Sequence, residues 1–278
     1  MKSGDVSSDP VACLSRAADE ARFGGKAASL SRGLRRGWPV PAGIAVCADA
    51  VGRLARGDEG VRAALARAQR EAGLADAPVA VRSSAIGEDS ATASFAGMHL
   101  TVLEVRGIDA VVDALVRVWR SGRTEAAIAY RRELGVEGPP RVAVVIQRMV
   151  RPRVAGVLFT RDPVSGADER VVEATHGLGE AVVAGLVAPD RYVWRRGGSG
   201  LRVTPGEKDV AIEPCPHGGT REVEVPAERV HAPCLDEHDV ARLERLACLV
   251  ESVEAGPHDL EWALDDELHL LQRRAVTR

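Results

Sequence analysis

The sequence predicts an α+β fold, with strands and helices mixed along the chain in no steady strand–helix–strand order. Short runs rich in Val and Ile, several with alternating apolar and polar residues, are typical of strands and occur in both halves of the chain. Longer segments such as 108–134 carry apolar residues at helical spacing. A doubly wound parallel sheet would require a regular alternation of the two patterns, which this sequence lacks.

The composition limits the classes of protein to consider. Aromatic residues are only 3% of the 278 residues, so the core must consist mainly of Val, Leu, Ala and Ile. A net charge of -3 gives no sign of a nucleic-acid or membrane-surface partner. No apolar stretch reaches membrane-spanning length, and the N-terminus lacks the apolar centre of a signal peptide, so we expect a cytoplasmic protein.

Residues 1–20 are polar and predict an irregular lead-in to a first subdomain, 21–134. Glycines and apolar spacing set its predicted elements. In chain order these are a short helix from the Gly24-Gly25 pair to Gly37, a strand within 38–50, helical structure over 48–76, strands within 77–85 and 94–105, and helical spacing over 108–134.

A second subdomain, 135–278, is predicted to be richer in strands. Its expected elements are strands within 141–150 and 154–163, a strand, loop, short helix and strand over 170–194, mostly loop with room for one short ribbon over 196–222, a helix from Asp236 to Gly256, and a closing hairpin.

The closing hairpin, 258–278, is the first candidate site. With a two-residue turn at Asp266 and Glu267, alternation aligns four polar residues on one face: Asp259 opposite Arg274, and Glu261 opposite Gln272. The same register puts Ala263 opposite Leu270 and turns the core residues to the other face: Leu260, Trp262, Leu264 and Leu271. Oxygen ligands beside an arginine suit Mg²⁺ and phosphate. A solvated polar face remains an open alternative, since a one-residue slip would scramble the pairs.

Two further segments carry groups that suit phosphate. Lys26 follows a Gly-Gly pair where a helix begins, and a helix start with free N–H groups attracts anions. Arg82 ends an apolar strand and is followed by two serines whose hydroxyls can donate to phosphoryl oxygens. The alternatives are a surface turn at Lys26 and an ion pair of Arg82 with Glu88 or Asp89.

A third segment holds a buried amide. Gln147 interrupts a Val/Ile run, which is costly unless its amide is hydrogen-bonded, either to a purine ring or within the protein. Glu173 and Glu180, in a glycine-bearing segment, are weak candidates. The five cysteines form no CxxC pair and predict reduced thiols, and the Cys/His spacing within 215–238 matches no closed zinc site.

The motifs together resemble the N-terminal ATP-grasp nucleotide-binding domain of phosphoenolpyruvate synthase, pyruvate phosphate dikinase and rifampin phosphotransferase. The resemblance spans residues 23–274 through collinear motifs: "GGKAASL" with "PVPAGIAV", "VRSSAIGEDS", "SFAGMHLTVLEV", "VAVVIQRMV", "AGVLFTRDPVSG", "EATHGLGEAVVAGLVAPD" and "HDLEWALDDELHLLQRR". It implies an ATP-grasp-like fold of two subdomains with the nucleotide cleft between them, and ATP and Mg²⁺ as cofactors.

Carried onto matching positions, the resemblance implies roles for particular residues. Lys26 and Arg82 would contact phosphates, Gly97 and Thr101 would belong to the loop over the nucleotide, and Gln147 would lie near the adenine. Glu261 and Gln272 would be the Mg²⁺ ligands, and Arg274 would clamp the transferred phosphate. Lys26, Arg82 and Arg274 would therefore be the catalytic cations.

The sequence also departs from the family pattern. Met98 stands where the family usually has Gln, Ala275 replaces the usual proline, and the segment before "AVRSSA" looks short, which predicts a trimmed first subdomain. No Thr-Ser-His stretch occurs, so we expect the phosphohistidine domain of full-length relatives to be absent.

The first functional hypothesis is an ATP- and Mg²⁺-dependent phosphotransferase, a kinase-type transferase that phosphorylates a small molecule directly. A second is a nucleotide-binding subunit that phosphorylates a histidine on a separate phosphohistidine-domain carrier, with AMP released. A third is a non-catalytic ATP-binding module, which the number of phosphate-binding cations disfavours.

Overall fold

The computed structural model describes residues 9–86, 100–125, 128–129, 133 and 140–276. Contacts divide the chain into two units, each with its own sheet. The first unit comprises Met1–Ser31 and Ala42–Arg148, and the second comprises Arg32–Pro41 and Met149–Arg278. The predicted subdomain boundary at residues 134 and 135 lies earlier in the chain than this division. The predicted α+β class is confirmed.

The first unit is built on a five-stranded sheet whose strand order is β1-β2-β5-β3-β4. Its core is formed by aliphatic side chains, as the low aromatic content predicts. The elements are β1 (Val11–Cys13), a 3-10 turn (Leu14–Arg16), α1 (Glu20–Arg35), β2 (Gly43–Val46), α2 (Ala48–Leu54), α3 (Glu59–Glu71), β3 (Val79–Ala85), β4 (Thr101–Val105), α4 (Ile108–Ser121) and β5 (Val142–Arg148).

The prediction that 48–76 is helical is confirmed over most of its length, and the structure divides this segment into two helices, α2 and α3. Gly57 adopts a left-handed conformation with φ 84° that ends the first helix. Asp58 then caps the second, its side chain accepting a hydrogen bond from the backbone N–H of Val61 at 3.0 Å. The Gly-Asp pair is a stop and a start in adjacent positions, which the apolar spacing alone does not reveal.

The second unit contains a six-stranded sheet of order β13-β12-β6-β7-β8-β9 and a separate two-stranded ribbon, β10-β11. The elements are β6 (Val154–Phe159), β7 (Glu169–His176), α5 (Glu180–Val183), β8 (Asp190–Arg195), β9 (Ser199–Thr204), β10 (Val210–Pro214), β11 (Thr220–Glu224), α6 (Ala227–Val230), α7 (Glu237–Glu251), β12 (His258–Leu264) and β13 (Leu268–Ala275). Among the residues with described coordinates, no helix is long and apolar enough to cross a membrane.

The segment 196–222 holds more strand than the sequence predicts. β9 pairs with β8 at the sheet edge, and all of its residues are exposed, so it lacks the apolar alternation by which strands are recognised.

Helix α7 begins as predicted, because Asp236 forms a capping box with Asp239. It ends at Glu251, before the predicted stop at Gly256.

A buried arginine joins α7 to the sheet of the second unit. Arg170, fully buried on β7, donates to Glu244 at 3.0 Å and to Glu251 at 2.7 Å. The indole N–H of Trp194 donates to the same Glu244 carboxylate at 2.8 Å. Each carboxylate is mostly buried, so the charges of helix and strand depend on each other for neutralisation.

We expect Arg170→Met to lower the free energy of unfolding by about 3–5 kcal/mol, because the mostly buried Glu244 carboxylate loses its cation and Glu251 keeps only its pair with Arg196. Urea unfolding followed by circular dichroism measures the change. Arg202→Met is the matched control, since Arg202 is exposed and pairs with Glu169 at 3.0 Å, a contact worth about 1 kcal/mol or less. Equal effects of the two substitutions would contradict the assignment.

Candidate functional site

The hairpin of β12 and β13 has the register that the sequence predicts on its polar face. Glu261 lies opposite Gln272, and Asp259 lies opposite Arg274. Directly opposed residues of an antiparallel pair share a face, so the four side chains form one polar group. Since β12 also pairs with β6, this group lies within the sheet and not on an isolated ribbon.

The predicted turn is wrong, yet the error does not reach the polar face. Leu264 pairs with Leu268, so the loop contains the three residues 265–267 and not two. The register then shifts between Glu261 and Trp262, which leaves Leu271 as an extra residue in β13. The longer loop and the bulge compensate each other, and the pairs beyond the bulge keep the predicted alignment.

The bulge changes which leucine enters the core. Leu270 is fully buried opposite Trp262, whereas Leu271 is half-buried. The prediction that Leu271 shares the core face and that Leu270 lies opposite Ala263 is therefore wrong, and His269 takes that place. Bulges are set by local backbone geometry, and nothing in the sequence marks this one.

The opposite side of the β12–β13 pair is fixed by a buried network. Arg273 donates to the Nδ1 atom of His258 at 3.1 Å and forms an ion pair with Glu254 at 3.1 Å. Burial lowers the pKa of His258, with a smaller contribution from the Arg273 charge. A neutral imidazole that accepts at Nδ1 and donates from Nε2 to the Glu254 carbonyl at 3.0 Å satisfies both contacts.

On the polar face, Asp259 positions the guanidinium of Arg274. Its Oδ2 accepts a hydrogen bond from Nη2 of Arg274 at 3.1 Å. Its Oδ1 is buried and has no hydrogen-bond partner among the described residues. Burial raises the pKa of Asp259, the Arg274 charge opposes this, and the nearby Glu261 carboxylate adds to it.

The hairpin residues fit a hydrated divalent cation. Glu261 is half-buried and Gln272 is 5% exposed, so a carboxylate and an amide face each other in a place with limited access to water. Oxygen ligands of this kind are those that Mg²⁺ takes, together with waters and phosphate oxygens. The buried Oδ1 of Asp259, which has no partner among the described residues, would be a further acceptor for a water bound to such a cation.

Lys26 and Arg82 both lie in the first unit, beside the start of a helix. Gly24 interrupts α1 with φ 78° and ψ 168°, so the regular helix begins after it. A Cβ at Gly24 would lie 2.2 Å from the carbonyl oxygen of Ser84, which excludes any side chain there. Lys26 is buried in the first turn, and Arg82 is half-buried on β3.

Ser84 ties β3 to this helix start. Its fully buried hydroxyl accepts from the backbone N–H of Ala27 at 3.2 Å and donates to the carbonyl of Phe23 at 2.7 Å. The sequence predicts free helix N–H groups and serine hydroxyls for phosphate. At Ala27 and Ser84 this expectation is corrected, because those groups are bonded to each other.

The remaining predicted positions lie in or beside the first sheet. Thr101 begins β4 directly opposite Arg82. Gln147 is 2% exposed on β5, and its Nε2 has no hydrogen-bond partner within the described part of the chain. The amide therefore remains available for a ligand. Gly97, Met98, Glu88 and Asp89 fall outside the described residues.

The structure groups the predicted residues by unit: Lys26, Arg82, Thr101 and Gln147 in the first, Glu261, Gln272 and Arg274 in the second.

Sequence reasoning missed the position of Glu173. Val157 of β6 pairs with Glu261 on one side and with Glu173 on the other, so both glutamates share a face. The alternation of side chains along β7 predicts which face of the sheet Glu173 shares. Only the strand order shows that Glu261 lies two strands away on that same face.

We expect Ser84→Ala to lower the free energy of unfolding by about 1–3 kcal/mol, because a buried N–H and a buried carbonyl each lose their hydrogen bond. Thermal and urea unfolding measure the change. Ser252→Ala is the control, since that hydroxyl is exposed and bonds only to a carbonyl of its own helix, and about 0.5 kcal/mol or less is expected. A neutral Ser84→Ala would contradict the tie between β3 and α1.

The raised pKa of Asp259 predicts a pH-dependent stability. A carboxyl whose pKa rises on folding favours the folded state when protonated, so its ionisation lowers stability as pH rises through that pKa. We expect Asp259→Asn to be more stable than the unmodified protein at neutral pH, with the difference shrinking as pH falls. Urea unfolding across the acidic range tests this, with the exposed turn residue Asp266→Asn as control. A difference that grows towards low pH would refute it.

The sequence matches the family described as "Pyruvate phosphate dikinase, AMP/ATP-binding domain" over residues 55–278. It is 38% identical to a rifampicin phosphotransferase from Streptomyces sp over 94% of this chain and 35% of that protein. It is 44% identical to a rifampicin phosphotransferase from Streptomyces sviceus over 71% of this chain and 23% of that protein.

A probable phosphoenolpyruvate synthase from Archaeoglobus fulgidus is 41% identical over 72% of this chain and 27% of its own length. The chain thus spans about a quarter to a third of the curated relatives it matches. Among solved structures, PH1788 from Pyrococcus horikoshii Ot3 superposes with a TM-score of 0.43 at 12% identity, covering 95% of this chain and 96% of that one. Since the family match extends from residue 55 to the last residue, the chain belongs to the pyruvate phosphate dikinase AMP/ATP-binding domain family.

Proposed function

We propose that this protein is an ATP- and Mg²⁺-dependent phosphotransferase that moves a phosphoryl group from ATP to a small-molecule acceptor in the cytoplasm. The observation that carries the proposal is the polar face of the β12–β13 hairpin. There the Glu261 carboxylate lies opposite the Gln272 amide. The next pair on the same face is Asp259 and Arg274, which are hydrogen-bonded to each other. Relatives named rifampicin phosphotransferase support this substrate class.

Each group of residues has a part in this function. Glu261 and Gln272 would hold Mg²⁺, which supplies charge neutralisation for the phosphates of ATP. Arg274, fixed by Asp259, would grip the transferred phosphoryl group through its planar donors. Lys26 and Arg82 would offset the charge of the phosphates from their own unit, where Thr101 lies opposite Arg82 at the start of β4.

Gln147 would recognise the adenine. Its buried Nε2 lacks a partner among the described residues, and an unpartnered buried amide is costly unless a ligand accepts from it. Phosphoryl transfer requires positioning and charge neutralisation more than covalent participation by the protein. The proposed residues supply those two requirements.

The relatives named phosphoenolpyruvate synthase favour a second candidate function. In it, the nucleotide-binding residues are the same, but the acceptor is a histidine on a separate phosphohistidine-domain carrier, and AMP is released. Product analysis separates the two. ADP formed only with a small acceptor supports direct transfer, whereas AMP formed together with a phosphorylated carrier histidine supports the second function. Binding of ATP without turnover in either mixture contradicts both.

We expect Glu261→Ala to weaken the binding of ATP measured with Mg²⁺ but not the binding measured with EDTA, since only the metal-dependent part depends on the carboxylate. Arg274→Ala should lower the turnover of ATP by about 10²–10³-fold, as loss of one preorganised donor does. Titration calorimetry and product quantification provide the two measurements.

Two exposed residues serve as matched controls: Glu267→Ala in the turn of the same hairpin, and Arg245→Ala on α7. Neither should change ATP binding or turnover. Retention of full metal-dependent binding by Glu261→Ala would refute the metal site, and retention of full turnover by Arg274→Ala would refute the phosphate clamp.

A further inference from the structure

We propose that Glu173 and Thr175 of β7 bind the ribose hydroxyls of the nucleotide whose phosphates are held at Glu261 and Gln272. This inference rests on the proposed function and extends it to the sugar. It concerns the sheet of the second unit alone, because all four residues belong to that sheet.

The first support is the alignment of residues across three neighbouring strands. Glu261 of β12 lies opposite Val157 of β6, and Val157 lies opposite Glu173 of β7. Partners in register share a face, so Glu173 and Glu261 face the same way. Two strand spacings place their Cα atoms about 10 Å apart. The ribose of a nucleotide is separated from its terminal phosphates by a comparable distance.

The second support is an unpartnered hydroxyl. Thr175 has 0% exposure, and its Oγ1 has no hydrogen-bond partner in the residues that the structure describes. It lies two residues beyond Glu173 and therefore on the same face. Its partner in β6 is Ala155, whose partner in β12 is Ala263, so its neighbours on that side offer no polar side chain. A buried hydroxyl of this kind is costly unless a ligand bonds to it.

The third support is that Glu173 has no paired cation among the described residues. Arg191 lies directly opposite it on β8 but pairs with Asp162 at 3.6 Å. Glu169 lies four residues earlier on the same face of β7, and its carboxylate pairs with Arg202 at 3.0 Å. Within the described chain Glu173 makes no side-chain hydrogen bond or ion pair, although it is half-buried. Among the described residues, the Glu173 carboxylate therefore has no ion-pair partner, whereas the carboxylates of Asp162 and Glu169 are paired with arginines.

The backbone at Glu173 is also held in place. Gly156 of β6 lies so close that a Cβ there would be 1.9 Å from the carbonyl oxygen of Glu173. A glycine is therefore required for the two strands to approach, and the approach fixes the position from which the carboxylate extends. A preorganised group loses less conformational entropy when it binds a ligand.

The chemistry of this pair suits a sugar diol. A carboxylate accepts hydrogen bonds from two neighbouring hydroxyls, and acidic residues bind ribose in this way in other nucleotide-binding folds. The threonine hydroxyl adds one donor and two acceptors. A second divalent cation would be poorly served by one carboxylate and one hydroxyl, since Mg²⁺ sites rely on carboxylates and phosphate oxygens.

The test compares the binding of ATP and 2′,3′-dideoxy-ATP, both with Mg²⁺, to the full chain by titration calorimetry. The unmodified protein should bind ATP about tenfold more tightly than the dideoxy analogue, as loss of a charge-assisted hydrogen bond predicts. In Glu173→Ala this preference should disappear, because ATP binding weakens about tenfold while binding of the dideoxy analogue is unchanged.

Glu169→Ala is the matched control, with the same substitution on the same strand and face but at a carboxylate already paired with Arg202. It should preserve the preference for ATP. Thr175→Val, which keeps the side-chain shape, should weaken ATP binding several-fold while leaving urea unfolding unchanged or shifted to higher urea. If Thr175 had only a structural role, Thr175→Val would not weaken ATP binding without also lowering the stability measured by urea unfolding.

The outcomes distinguish this inference from the function on which it rests. Equal weakening of both nucleotides by Glu173→Ala, no preference for ATP in the unmodified protein, or loss of turnover with the preference intact would each overturn the ribose assignment alone. The last result would mark Glu173 as a group that acts on the acceptor. Failure of the unmodified protein to bind either nucleotide would overturn the proposed function as well.

Discussion

The register between β12 and β13 is the constraint on which the candidate metal site depends. A shift of one residue would turn Glu261 and Gln272 away from each other and send Arg274 to the opposite face. Core packing prevents this shift, since Leu260, Trp262 and Leu270 are all buried on the other face. The apolar side of the hairpin therefore specifies the geometry of its polar side.

The polar side chains fall into two groups: those bonded to partners within the protein, and those without a partner among the described residues. Ser84 and Glu169 bond to protein partners, and Arg170 neutralises two carboxylates in the core. By contrast, Nε2 of Gln147, Oδ1 of Asp259 and Oγ1 of Thr175 are buried without partners among the described residues. Burial without compensation is unfavourable for folding, and the proposed ligand contacts would satisfy these three atoms.

The sequence predicts the α+β class and the opposed pairs of the hairpin because both follow from local alternation. It fails where two local features cancel, as at the three-residue loop and the bulge at Leu271. It also fails where a strand is exposed on both faces, as in β9. The alignment of Glu173 with Glu261 depends on which strand lies between them, and strand order is a long-range property that alternation does not encode.

The tie between Ser84 and the start of α1 has a mechanical consequence for the first unit. Arg82 precedes Ser84 by two residues on β3, and Lys26 lies beside Ala27, the residue whose N–H bonds to the Ser84 hydroxyl. With the backbones also in near contact at Gly24, a displacement of the strand must carry the helix turn with it. The backbones that anchor two cations distant in sequence are therefore coupled, which favours a constant spacing between them.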